Sequence, residues 1–267
     1  MTLDIDTAEF HVEHPLWGGQ SLYALYQQAY TPWEWHRPIF ERARELGMLA
    51  CSTPFDESAV DFLEELDVPA YKIASFENTD LPLIRRVAAT GKPMIISTGM
   101  ATVAELDESV RAARAVGCRD LVLLKCTSTY PATPENSNLR TLPHLRELFG
   151  CEVGLSDHTM GLGAAVASVA LGATVIEKHY TLDRADAGVD STFSLEPAET
   201  GGPKARSIPA WGNAPGQLKT TTAIPSPSRG WLGWGWGKSN FSISVPAELI
   251  WHPIKANWPA DSRTVES

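Results

Sequence analysis

Six short apolar runs, each separated from the next by an amphipathic stretch, constrain the fold of this chain more than any other feature. The runs cover residues 48–52, 70–74, 93–97, 121–126, 153–156 and 174–178 and are built largely of Leu, Ile, Val, Met and Ala. They lack the strict polar alternation of a strand with one wet face, so they read as strands buried on both faces. The stretches over 34–46, 57–66, 81–89, 103–116, 142–149 and 160–171 space their apolar residues as helices do. Asp80 is placed to cap the third of these helices. Thr102 is placed to cap the fourth, with Glu105 three residues on. Buried strands separated by helices mean a parallel sheet, because parallel neighbours need a crossover connection.

Two architectures fit this alternation: an open doubly wound sheet and a (β/α)8 TIM barrel. No GxGxxG follows the first run, which counts against a dinucleotide-binding sheet. Polar residues end nearly every run: Ser52-Thr53, Ser75, Ser97-Thr98, Thr127-Ser128, Asp157-His158 and His179. In a barrel all of these ends converge on one mouth, where barrel active sites lie. The barrel is therefore expected. About six strand–helix units are visible where closure needs eight, so an N-terminally truncated barrel is expected.

Charge and composition narrow the partners. The net charge of −10 over 267 residues argues against nucleic acid. No apolar run reaches the roughly 20 residues of a membrane span, so no membrane partner is expected. Cys51, Cys118, Cys126 and Cys151 form no CxxC pair and read as buried thiols of a cytoplasmic protein. The charge is unevenly spread. Residues 200–267 hold seven Lys/Arg and three Asp/Glu, a net +4, against −14 for residues 1–199. The same 68 residues carry eight Gly, eight Pro and six Trp without helical period. A boundary near Glu199 is expected, with a partial barrel over 1–199 and an irregular, disordered Gly/Pro/Trp-rich tail over 200–267.

Two histidines stand out among candidate site residues. His158 and His179 end adjacent runs 21 residues apart, the length of one strand–helix–strand unit. Both imidazoles should leave neighbouring parallel strands at one edge, as a metal or acid–base site would require. Lys72, inside a strand, reads either as a structural ion pair or as an anion or Schiff-base site, with Ser75 and Glu77 following it. Residues 97–102, a strand end, a Gly turn and a helix start, suit a phosphate or carboxylate, or are simply a capped helix. Lys178 and His179 should point to opposite faces, leaving Lys178 to pair with a carboxylate outside the barrel. Asp190 follows in a loop. His11, His14, His36, His144 and His252 read as surface or local packing residues.

Six motifs occur in order: Thr53-Pro54-Phe55-Asp56, Tyr71-Lys72-Ile73-Ala74-Ser75, Ser97-Thr98-Gly99-Met100, Cys126-Thr127-Ser128-Thr129-Tyr130-Pro131, Gly154-Leu155-Ser156-Asp157-His158-Thr159 and Ile176-Glu177-Lys178-His179. Together, over roughly residues 2–199, the chain resembles the sialic acid synthase family, whose members condense phosphoenolpyruvate (PEP) with an N-acylated amino sugar. Residues 22–35 resemble the pseudaminic acid synthase branch in particular. The resemblance implies a (β/α)8 barrel, a homodimer and a divalent metal, Mn²⁺ or Mg²⁺, ligated by His158 and His179. It implies that Lys72, Ser97, Thr53, Ser75 and Ser156 hold the phosphate and carboxylate of PEP. Ser128 replaces a family asparagine at that site. Glu77 matches an acid near the reacting centre, Asp190 a sugar-hydroxyl ligand, and Tyr130 a wall of the sugar site. The branch implies 2,4-diacetamido-2,4,6-trideoxy-altrose as acceptor, pseudaminic acid as product and phosphate as by-product. The family pattern opens with two further strands and closes with a small antifreeze-like domain, neither of which has a match in this sequence. The alternatives are a metal-free Schiff-base aldolase using Lys72 or Lys125, and a non-catalytic fragment.

Overall fold

The computed structural model describes residues 5–12, 19–186 and 188–200; the tail expected beyond Thr200 lies outside the described residues. A two-stranded antiparallel hairpin, β1 (His11–Val12) and β2 (Gln20–Ser21), opens them. Helices α1 (Leu22–Ala29), α2 (Trp33–Glu45) and α3 (Glu57–Glu65) follow. Five parallel strands then alternate with four helices: β3 (Tyr71–Ile73), α4 (Leu81–Ala88), β4 (Met94–Ser97), α5 (Val103–Ala115), β5 (Leu121–Cys126), α6 (Thr141–Phe149), β6 (Glu152–Asp157), α7 (Gly163–Ala170) and β7 (Val175–Lys178). A short helix, α8 (Pro197–Thr200), closes the described residues.

Strand order is β3-β4-β5-β6-β7, with every pair parallel. Each strand lies beside its predecessor, and the order never reverses as it does in a doubly wound sheet. The sheet is also curled. Laid flat, four strand spacings would put β3 and β7 roughly 19 Å apart. Yet Lys72 Nζ on β3 lies 3.4 Å from Glu177 Oε2 on β7. Inward side chains of the first and fifth strands thus meet across a concave face, as they do in half of an eight-stranded barrel.

The convex face explains why these strands form. Tyr71, Ile73, Met94, Ile96, Leu121, Leu123 and Val153 face outward and are buried against Leu83, Ile84, Val87, Val110, Leu142 and Leu145 of the helices. Each such side chain stabilises the fold by about 1.5–3 kcal/mol. The caps are where the sequence puts them. Asp80 accepts from Leu83 N at 3.0 Å, and Thr102 and Glu105 form a reciprocal capping box. Three arginines stitch successive helices together. Arg44 of α2 donates to Leu66 O at the end of α3. Arg114 of α5 donates to Phe149 O at the end of α6 (2.5 Å), and Arg146 of α6 to Gly172 O beyond α7 (2.6 Å).

Several expectations need correction. No strand forms over 48–52 among the described residues. Leu49 is exposed and its neighbours are only half-buried, so the run lacks the two-sided cover that a buried strand needs. Its first amide, Met48 N, instead closes α2 by donating to Ala43 O at 2.8 Å. Among the cysteines, all free, Cys118 and Cys126 are buried, whereas Cys51 and Cys151 are half-buried. Helix α7 begins at Gly163, not Met160, because Gly161 turns the chain with φ +73°. His36 is a packing residue, bonded to Ser52 Oγ (3.2 Å) and Pro32 O (3.1 Å). No described helix is long and apolar enough to cross a membrane.

Candidate active site

The C-terminal ends of the five parallel strands carry nearly all of the expected site residues. Lys72 lies on β3 and Ser97 ends β4; Cys126 ends β5 ahead of Ser128; Ser156 lies on β6; Glu177 lies on β7, just before His179. Period-two alternation turns Lys72, Ser97 and Ser156 to the concave face, opposite Tyr71, Ile73, Ile96 and Val153, which pack under the helices, and Glu177 is in register with Ser156. Lys72 is 2% exposed, and its ammonium pairs with Glu177. Ser156, in register with Glu177, donates to Glu177 Oε1 at 2.5 Å. Burial alone pushes the Glu177 carboxyl up; the Lys72 ammonium and the Ser156 hydroxyl outweigh it and hold the group below the usual carboxylate range.

Beside this pair, three loops converge. Gly99, with φ +46°, comes so close that a Cβ there would lie 2.4 Å from Ser75 Cβ and 3.2 Å from Ser128 Oγ. Only glycine lets the backbone of the β4–α5 turn approach both serines. Ser75 Oγ donates to Cys126 Sγ at 3.2 Å. Ser97 Oγ is buried with no hydrogen-bond partner among the described residues, a donor available to an anion beside Lys72. Asn78 sets that strand end by donating to Ser97 O (3.1 Å) and Thr98 O (2.8 Å). Glu77 is buried in the turn after β3; its charge, second to burial, pushes the Tyr26 phenol of α1 up. Thr53 is buried ahead of α3.

The two histidines meet at the ends of β6 and β7, with ring centroids 5.1 Å apart. His158 Nδ1 lies 2.9 Å from Thr127 O, and His179 Nδ1 lies 3.3 Å from Asp190 Oδ2. An Nδ1 that faces an oxygen acceptor carries the proton, so in each ring Nε2 is the nitrogen that bears the lone pair a cation would bind. Burial first, then the neighbouring His179, pushes His158 down to about 4, so its ring is neutral at pH 7. Tyr130 leans on His158 at 4.4 Å with its ring tilted by 37°, and Phe193 lies 5.0 Å from His179, centroid to centroid. Among the described residues no group of three His, Cys, Asp or Glu side chains forms a full metal cage. A pair of oriented imidazoles fits a cation whose other positions belong to water and substrate.

Lys178 points away from the site, as alternation predicts, and pairs with Asp157. Lys125 shares the outward parity of Leu121 and Leu123 and bonds Thr127 Oγ1, which removes it from the imidazole pair. Glu177 and Phe193 were given no role by the sequence. Asp190, expected at a sugar hydroxyl, is brought to His179.

A family model described as the NeuB family matches residues 1–202. The chain belongs to the NeuB family. It is 48% identical over 196 residues to a pseudaminic acid synthase of Campylobacter jejuni, covering 73% of this chain and 57% of that protein. It is 45% identical to a pseudaminic acid synthase of Helicobacter pylori, covering 73% and 58%. These matches place it in the pseudaminic branch of the family. The crystal structure of the spore coat polysaccharide biosynthesis protein SpsE of Bacillus subtilis superposes with a TM-score of 0.62 at 37% identity, covering 72% of this chain and 54% of that one. The chain thus spans a little over half the length of the curated relatives it matches.

Proposed function

We propose that this chain carries the PEP- and metal-binding part of a (β/α)8 nonulosonic acid synthase that joins PEP to an N-acylated amino sugar. The acceptor is 2,4-diacetamido-2,4,6-trideoxy-altrose and the product pseudaminic acid. One observation carries the reading: two imidazoles at adjacent strand ends, ring centroids 5.1 Å apart, each with Nδ1 turned to an oxygen acceptor so that Nε2 bears the lone pair.

Lys72 supplies positive charge to the anionic donor, and Glu177 holds its ammonium in place. Ser97 Oγ, Ser75, Ser128, Ser156 and Thr53 offer hydroxyls to the phosphate and carboxylate of PEP. Tyr130 walls the sugar site, Glu77 stands near the reacting centre, and Asp190 serves both a sugar hydroxyl and the orientation of His179. A divalent cation, Mn²⁺ or Mg²⁺, held by Nε2 of His158 and His179, would supply Lewis-acid stabilisation of charge on the aldehyde oxygen. In the reaction, C3 of PEP bonds to the aldehyde carbon and C2 becomes an oxocarbenium. Water adds to C2, and the bond from C2 to the phosphate oxygen breaks, releasing inorganic phosphate. The aldehyde oxygen ends as a hydroxyl. The residues named here position both substrates and balance their charge.

The domain boundary near Glu199 and a homodimeric assembly belong to the same proposal. Titration of Mn²⁺ into the full chain tests it. Binding is expected in the wild type and is lost in His158→Ala and in His179→Ala. Unchanged affinity in both variants would falsify the reading.

A further inference from the structure

We propose that the buried Asp157–Lys178 ion pair is a positioning device that fixes the separation of His158 and His179; the inference rests on the metal reading above. Asp157 and Lys178 are in-register partners on β6 and β7, and each immediately precedes one of the histidines. Their side chains lie on the sheet face away from the site, 3.0 Å apart and only 1% and 6% exposed.

Each also reaches past the first histidine. Asp157 Oδ1 accepts from Thr159 N at 2.9 Å, and Lys178 Nζ donates to Thr159 O. The residues before and after His158 are therefore tied to the same ammonium of the neighbouring strand. The backbone oxygens of both histidines are held as well: Ala132 N donates to His158 O (3.0 Å), and Leu195 N to His179 O (2.8 Å). Lys125 extends the layer to β5. It lies near Asp157 and bonds Thr127 Oγ1, and the Thr127 carbonyl orients His158.

A buried ion pair adds little net stability over an apolar pair of similar volume. Its directed bonds do fix register, and here the register of β6 on β7 is the spacing of two imidazoles. A slip of one strand end against the other must break the pair before it can part the rings.

The test is Mn²⁺ affinity of the full chain, read from the EPR signal of the free aquo ion, together with thermal melting. Asp157→Leu/Lys178→Met removes both charges and leaves neither orphaned. Asp157→Glu keeps both charges and displaces the contact by one methylene. Both variants are expected to bind Mn²⁺ at least about tenfold more weakly, as outer-shell changes do at metal sites, with a cooperative melt retained. A folded variant of either kind that binds Mn²⁺ as the wild type does overturns the proposal, and Asp157→Glu decides it if the double variant does not fold. His158→Ala and His179→Ala run alongside. If they too bind as the wild type does, the metal reading fails and the inference with it; if they lose binding while the pair variants keep it, only the positioning role fails.

Discussion

On β4, Met94 and Ile96 pack outward beneath the helices, while Ser97, one residue on, turns to the concave side a hydroxyl with no partner among the described residues. The contrast holds along the sheet as far as the ends of β5, β6 and β7, where Lys125, Asp157 and Lys178 are buried on the outward face. The convex face is closed by Ile73, Ile96, Leu123 and Val153, whose burial needs no electrical compensation. The concave face buries Lys72, Ser156 and Glu177, groups that a core selected for stability alone would replace. Stability and chemistry are thus divided by side-chain parity along the same five strands. A ligand belongs where burial is least favourable.

Lys72→Met tests that division most severely. It leaves Glu177 buried without its cation, so a loss of about 3–5 kcal/mol at pH 7 is expected in chemical denaturation. The loss should shrink as pH falls and Glu177 takes up a proton, and PEP binding should disappear. Leu123→Ala, on the other face, should cost about 3 kcal/mol through its cavity. PEP and Mn²⁺ affinities of the folded fraction should not change. If Leu123→Ala weakens ligand binding as strongly as Lys72→Met does, the division between faces is broken.

Proton linkage at His158 gives the smallest effect. Its folded pKa is lowered to about 4 from 6.5, so between these values the unfolded chain binds a proton that the native chain refuses. Stability is present above the unfolded value and is lost as pH falls. In metal-stripped protein the loss from pH 7 to pH 5 is expected to be about 2 kcal/mol. His158→Gln should flatten that part of the pH–stability profile.

What could be read from the sequence follows the same physics. Strands β3 to β7 were legible because both faces exclude water, which leaves uninterrupted apolar runs. The run over 48–52 looks alike in sequence, but Leu49 meets solvent, and exposure is set by neighbours that a local pattern does not contain. The β1–β2 hairpin was not legible, since two-residue strands have no period to detect. Its last residue does carry a signal: Ser21 caps α1 by accepting from Ala24 N at 3.2 Å. His158 and His179 were legible from the length of one strand–helix–strand unit. Glu177 stands within a motif, yet its partnership with Lys72 depends on curvature that joins the first and fifth strands. Phe193 gives no warning, because an aromatic in a single 3-10 turn has no periodic partner to betray its burial.

The guanidinium links of Arg44, Arg114 and Arg146 have a bearing on how the outer shell comes apart. Each of the three runs forward, from the last turn of one helix to the carbonyl end of its successor. The ends of α3, α6 and α7 are therefore each latched by the unit before it. Loosening α5 unlocks the end of α6 while the latch from α2 to α3 stays shut, so damage should travel toward the C-terminal units and spare those upstream.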